Sequence, residues 1–289
     1  MVNMLEFKIE YLINELKEVI SSYKNTNTVL IHSDLYFSSK LLLENKIYRR
    51  TELLELHFEI IQKIFSGFNI WMPAFNYDFF TTHIFDVEKH KVQLGPFPEY
   101  FRKNIANWRT PIPILSFCGN GIEPKVDFSY EVNLYENHPV YQDLLKKDGI
   151  IFHYGTDLWA TAFIHFIESY KTKPLYRYDK SFIGKMIDKE GNITEHEMIL
   201  HVRPYGELLI NYNLCEIQKE LIKENIMKSI KINNGVFYAI SCKELLEFLK
   251  MKIAIDPFYL LHKSSREWVE PRVEKLGRRF HIGDFENME

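Results

Sequence analysis

Cysteine, clustered basic charge and long apolar runs are all scarce in this chain, and each scarcity removes a class of protein. Three cysteines, Cys118, Cys215 and Cys242, cannot all pair, and none stands in a Cys-x-x-Cys spacing. Neither a disulfide framework nor a zinc knuckle is indicated, so they read as reduced, small core residues. No segment approaches the roughly 20 apolar residues that span a bilayer. Glu6 and Lys8 fall where a secretory signal needs an apolar stretch, so the expectation is a cytoplasmic protein without a membrane partner. Lys plus Arg (36) nearly balances Asp plus Glu (39), and the basic residues are scattered. That distribution leaves no footprint for nucleic acid. Also missing are a Walker loop, a Gly-x-Gly-x-x-Gly after the first strand, a Gly-x-Ser-x-Gly elbow and a His-Glu-x-x-His pair.

What the chain does have is core material. Its 289 residues are 46% apolar, enough for one large domain with a substantial interior. Aromatics reach 15%, with 22 Phe, 17 Tyr and 4 Trp. Such rings fill cores first, and their flat faces also suit stacking on a sugar or a base.

Leu5, Ile9, Leu12, Ile13, Leu16 and Ile20 recur at intervals of three and four, which predicts an amphipathic helix over 4–23. Residues 28–32 read as a short buried strand, followed by the polar turn Ser33-Asp34 and a helix beginning near Ser38. Strand, turn and helix in that order offer backbone N–H groups to an anion. A helix over about 51–65, a strand over 68–73, an irregular aromatic stretch and a strand over 114–118 stopped by Gly119-Asn120-Gly121 come next. Then follow a helix over 139–147, a strand over 149–155 and a helix over 158–170. Segments 182–187 and 194–202 flank a turn at 189–192, and a second hairpin is expected to turn at 233–235. Ser241 with Glu244 predicts a capped helix to about 252, and Asp256-Pro257 the start of another. The fold class is therefore α/β, a three-layer α/β/α arrangement with a mixed central sheet and additional β-hairpins in the C-terminal half. The whole chain, 1–289, reads as one domain, with the hairpins of 181–240 as a sub-lobe or sheet extension.

The most informative unit is the strand, loop and helix around 149–170. It places His165 and Glu168 three residues apart on one helix face, just beyond a strand end. A carboxylate can hold the imidazole tautomer and stabilise the imidazolium formed when a proton is taken, which suits a general base. The same spacing also serves as a semi-buried structural contact. His153, on the preceding strand, reads as a satisfied core histidine, and a metal site made of His153, His165 and Glu168 lacks open-site spacing. Cys118 could act as the nucleophile of a double-displacement acyl transfer, but its place on a predicted strand fits an inert buried thiol better.

The stretch Gly155 to Glu168, continuing through Lys173 to Phe182, resembles the signature of the aminoglycoside 3-N-acetyltransferase family, in which a glycine-ended strand precedes a helix carrying His-x-x-Glu. Other parts agree in order. His32-Ser33 resembles the family's His-x-Ser turn, Met72-Pro73 its Met-Pro strand end, and Phe101-Arg102 with Arg109-Thr110 its Phe-Arg and Arg-Ser region. Ser116 to Gly121 is similar to the Ser and Gly that follow. The resemblance spans about 28–182, and Tyr176-Arg177-Tyr178 looks closer to the members that act on surface-polysaccharide sugars. Two positions depart: Ala162 stands where the family has Thr, with Thr161 adjacent, and Thr110 replaces a Ser.

The resemblance implies an N-acyltransferase using acetyl-CoA or another acyl-CoA, without a metal. The amino group of a sugar would attack the thioester directly in a ternary complex. His165 is then the general base, oriented by Glu168 or Asp179. Oxyanion donors would come from Thr161 or from backbone N–H groups near Ser33. His32, Ser33, Arg102, Arg109 and Thr110 are the candidates for coenzyme A contacts, with ion pairs as the structural alternative for the arginines and a helix cap for Ser33. Phe75, Tyr77, Asp157 and Tyr176 are the acceptor-side candidates, and Trp71, Phe79 and Phe80 could add to that wall. Polycationic antibiotics favour carboxylate-dense pockets, and this chain is only mildly acidic and rich in rings. The expected partner is therefore a small-molecule amino sugar, nucleotide-linked or glycan-bound. A classical aminoglycoside and a non-catalytic sugar-binding role are the alternatives, and whether the protein forms a homodimer is left open.

Overall fold

The computed structural model describes residues 4–39, 49–127, 132–204, 210–232 and 235–286. In chain order the first half contains α1 (Met4–Ser21), β1 (Thr28–Ser33), α2 (Leu35–Ser39), α3 (Arg50–Ile64), β2 (Asn69–Pro73), α4 (Phe79–Thr82), β3 (Ile84–Asp86), α5 (Pro96–Asn104), β4 (Trp108–Arg109) and β5 (Phe117–Gly119). There follow β6 (Val132–Asn133), α6 (Pro139–Lys146), β7 (Ile150–Tyr154), α7 (Phe163–Glu168), β8 (Tyr178–Ile187) and β9 (Ile193–Val202). The chain closes with α8 (Leu214–Lys223), β10 (Lys228–Ile232), β11 (Gly235–Ser241), α9 (Cys242–Ile255) and α10 (Lys263–Leu276).

Side-chain alternation explains the layering. In β1, Val29 and Ile31 pack with α1, α3 and α5, while Leu30 packs with α6, α7 and α9; all three strand residues are fully buried. A strand that is apolar on both faces needs helices above and below. Such cover is what the α/β/α expectation describes. The central sheet has seven strands in the order β10-β11-β7-β1-β2-β5-β4. Its middle is parallel, β7 beside β1 beside β2, and the flanking pairs are antiparallel. A second sheet, β3-β8-β9-β6, is built on the long hairpin β8–β9. The segment 181–240 thus divides: β8–β9 forms its own sheet, whereas β10–β11 extends the central one. Asn233 and Asn234, where the second turn is expected, lie outside the described residues, as does the continuation beyond Ser39 of the helix expected near Ser38.

Four local expectations change. The strand expected from residue 114 begins only at Phe117, because Ile114 adopts φ 66°, a left-handed conformation that a β-branched residue seldom takes and that ends a strand. The helix expected over 158–170 is broken. A single turn at Leu158–Ala160, capped by Asp157 Oδ1 accepting from the Trp159 N–H (3.1 Å), gives way to an extended Thr161, and α7 starts at Phe163. No helix begins at Asp256; α9 runs to Ile255, and α10 waits for a cap from His262. The stretch expected to be irregular, 75–107, holds α4, β3 and α5. Among the described residues, no helix is long and apolar enough to cross a membrane.

Candidate active site

In an open α/β sheet the crevice beyond the carboxyl ends of parallel strands is where ligands bind, since side chains and turns from several strands converge there. Here β1, β2 and β7 end on one cavity of about 1050 Å³, large for a single small molecule. Its floor carries His32 and Ser33 from the end of β1, and its wall includes Thr161 and His165 from the loop and helix after β7. Leu200, Arg203 and Tyr212, together with Tyr135, line the same cavity.

His165 sits on α7 with a quarter of its side chain exposed, 23%, against 2% for Glu168. Its Nδ1 lies 3.3 Å from Glu168 Oε2 and 3.1 Å from Arg177 Nη2. One contact needs a proton on Nδ1 and the other needs a lone pair, so a neutral ring satisfies one at a time. Tyr135 and Tyr212 hold the ring between them at centroid distances of 4.7 and 5.3 Å. Burial, reinforced by the charge of Arg177, pushes His165 down to about 4 despite the neighbouring carboxylate, so the ring is neutral at neutral pH.

The buried carboxylate is fully engaged. Glu168 takes Arg177 Nε at 3.0 Å and the Tyr212 hydroxyl at 2.8 Å. Burial alone would raise its pKa; Arg177 and the hydrogen bonds from His165 and Tyr176 overcome that and hold it at about 2. Arg177 also donates to the Tyr212 hydroxyl and, at 2.8 Å, to the His201 carbonyl. Tyr135, Arg177, His201 and Tyr212 carry no motif of their own. Their only sequence signal is that Arg177 lies inside the Tyr-Arg-Tyr segment of the resemblance.

Of the other expected residues, Phe75, Tyr77, Phe80 and Asp157 line the cavity. Thr161 lines it as well, but its hydroxyl is tied to His153 Nε2 at 2.6 Å. His32 stacks on His153 with centroids 5.7 Å apart. Burial lowers its pKa to about 4, so His32 presents a neutral ring, with Nε2 buried and without a partner, as is Ser33 Oγ. The turn after Ser33 offers less than expected, because the Asp34 N–H donates to the Tyr154 carbonyl and the Tyr36 N–H to Asp34 Oδ1.

Several expectations do not converge on the cavity. Asp179 is bound by Arg279 at 2.9 and 3.0 Å and by Lys173 at 2.9 Å. These cations outweigh burial and hold it at about 2, and none of its contacts is to His165. Arg102 is locked onto Glu99 at 2.9 and 3.0 Å. Arg109 donates to the carbonyls of Val87 and Ala74, and Thr110 pairs with the Phe117 N–H at 2.9 Å. None of the three lines the cavity: Arg102 is committed to Glu99 and the Glu88 carbonyl, and Arg109 and Thr110 to buried groups of the core. Tyr176 lines a smaller pocket of about 230 Å³ behind Glu168, and Trp71 and Phe79 are core residues. Cys118 is sealed in the interior, where burial pushes its thiol up to about 12, which makes it a poor nucleophile. Among the described residues no group of acids, histidines and cysteines could hold a metal ion.

No curated protein sequence matches the chain. Solved structures resemble it in fold. The aminoglycoside acetyltransferase AAC(3)-Xa superposes with a TM-score of 0.64 at 12% identity, covering 86% of this chain and 93% of that one. AAC-IIIb, solved as a binary complex with CoASH, gives 0.60 at 11% identity over 83% and 96%. AAC-VIa, solved with sisomicin bound, gives 0.59 at 12% identity over 83% and 98%. The sequence profile of aminoglycoside 3-N-acetyltransferases matches residues 68–254, well over half of the chain and inclusive of His165, Glu168 and Arg177. The chain therefore belongs to the aminoglycoside 3-N-acetyltransferase family of acyltransferases.

Proposed function

We propose that this protein, working as one domain, transfers an acyl group, acetyl in the first instance, from coenzyme A to the amino group of a nucleotide-linked or glycan-bound amino sugar. The observation that carries the reading is His165: a neutral imidazole, open on one edge to the cavity and braced behind by Glu168 at 3.3 Å. With Nδ1–H donated to Glu168, Nε2 is left as the base. A sugar amine, like the α-amino groups whose model values lie at about 8, is largely protonated at neutral pH, so acylation needs the proton removed. His165 takes it and passes it to solvent; the free amine then attacks, the C–N bond forms, and as the C–S bond breaks the second proton lost by the nitrogen goes by way of His165 to the coenzyme A sulfur. Ser33 Oγ, buried without a partner on the cavity floor, is the donor best suited to the oxyanion, since Thr161 is held by His153.

The cavity supports a ringed rather than a polycationic acceptor. Tyr77 and Phe80 stack with their planes 1° apart, and together with Trp159 they are exposed at its wall. Only Asp34 and Asp157 supply carboxylates among the described lining residues. A second reading, aminoglycoside acetylation, is favoured by the family's name and by the sisomicin complex of AAC-VIa.

The test is thiol release from acetyl-CoA with a panel of nucleotide-linked amino sugars and aminoglycosides. His165→Ala is expected to lower turnover by at least about 100-fold with acceptor binding retained. Turnover with aminoglycosides alone would reverse the order of the two readings, and full activity of the variant would remove His165 as the base.

A further inference from the structure

Two arginines stand near the base, and they differ in what they have left to give. Arg177 is engaged by Glu168, by the Tyr212 hydroxyl and by the His201 carbonyl. Arg203, just past the end of β9, lines the cavity. It donates through Nη1 to the Ile210 carbonyl and lies 5.8 Å from the centroid of Tyr212, whose ring is 5.3 Å from that of His165. Among the described residues it forms no ion pair. A guanidinium has five N–H donors in a fixed fork suited to phosphate or carboxylate, and among the described residues most of this fork is uncommitted.

The surrounding charge points the same way. Asp34 and Asp157 also line the cavity, each accepting a backbone N–H, but the charges that bear on His165 are Arg177, Glu168 and Arg203. Glu168 is offset by Arg177, which leaves Arg203 as the unbalanced charge beside the ring, a poor match for a cation and a good one for an anion. Coenzyme A's own phosphates do not fit this role, because the thioester that reacts beside His165 is separated from them by the whole pantetheine arm.

Resting on the acyl-transfer reading above, we propose that Arg203 selects the acceptor by binding an anionic group, phosphate or carboxylate, carried on the amino sugar. The pair of sources is separable with four probes: UDP-glucosamine, glucosamine 1-phosphate, 2-amino-2-deoxyglucuronate and the neutral methyl glucosaminide. At saturating acetyl-CoA the wild type should favour an anionic probe over the methyl glycoside by about 10- to 100-fold in kcat/KM, the range expected of a charge-assisted contact. Which anionic probe leads identifies the source. Arg203→Met should erase that preference through KM, leave the methyl glycoside within about two-fold, and leave the KM for acetyl-CoA unchanged; Arg203→Lys should restore part of it.

The proposal is overturned if the wild type shows no preference for an anion, if Arg203→Met lowers all acceptors alike, or if it raises the KM for acetyl-CoA instead. Calorimetric titration of glucosamine 1-phosphate into protein saturated with coenzyme A judges the anion site without turnover. Binding that is lost in Arg203→Met upholds the site even if no probe is acylated, in which case the acyl-transfer reading fails alone. Absence of binding in the wild type sinks the anion site.

Discussion

Arg109 and Arg177 are both buried to within a few per cent of full enclosure, yet their surroundings are opposite. Among the described residues Arg109 pairs with no carboxylate and satisfies the carbonyls of Ala74, Val87 and His90 and the hydroxyl of Ser116. Burial and the nearby Arg102 lower its pKa to about 10. Arg177 meets Glu168, whose charge outweighs the burial penalty and raises its pKa, and touches His165 at 3.1 Å. A buried cation that feeds carbonyls holds a fold together. One that feeds a carboxylate and a cavity-facing imidazole helps to set the charge state of that imidazole.

The comparison can be broken most forcefully at Arg177. Arg177→Met is expected to cut turnover by at least about 100-fold and to destabilise the protein by about 3–5 kcal/mol, since Glu168 is left as a buried unpaired charge. The pH profile separates this from simple damage. Burial and, after it, the charge of Arg177 hold His165 at about 4, so removing the arginine lifts the second of these and raises that pKa. The ring is inactive when protonated, and the acid limb of kcat/KM should accordingly move to higher pH. An unmoved limb with lowered stability would put Arg177 in the same class as Arg109. Arg109→Met comes next: it takes a donor from three carbonyls, those of Ala74, Val87 and His90, which is expected to cost about 2–4 kcal/mol in chemical denaturation, while turnover of the folded fraction stays within about three-fold. A large loss of turnover there would mean that the Arg109 cluster reaches the site. The smallest effect is expected of Asp179→Asn, less than about two-fold in kcat, because Arg279 and Lys173 hold that carboxylate; a loss comparable to that of Glu168→Gln would transfer the orienting role to Asp179.

Legibility followed the range of the interaction. The pair His165 and Glu168 is one helical turn apart, so spacing alone brings the side chains together even though the helix that carries them is shorter than its periodicity suggests. The choice between Glu168 and Asp179 was open in the sequence because both lie close along the chain; the pairing of β8 with β9 and the long-range partner Arg279 draw Asp179 elsewhere. Arg102, Arg109 and Thr110 were attractive as anion contacts by residue type, but residue type says nothing about which carbonyls and acids the fold will bring within reach.

The sequence by itself determined the strand and helix periods, the two-faced apolar strands that demand helices above and below, and the His-x-x-Glu unit after β7, since each depends on neighbours within a turn or a strand. Only the tertiary structure decided that Tyr135, Arg177, Arg203 and Tyr212 gather around His165, because they come from segments far apart in the chain and meet only where the hairpin sheet closes over the ends of the parallel strands. Periodicity is a local property of the chain; the partner of a buried charge is a property of the folded whole.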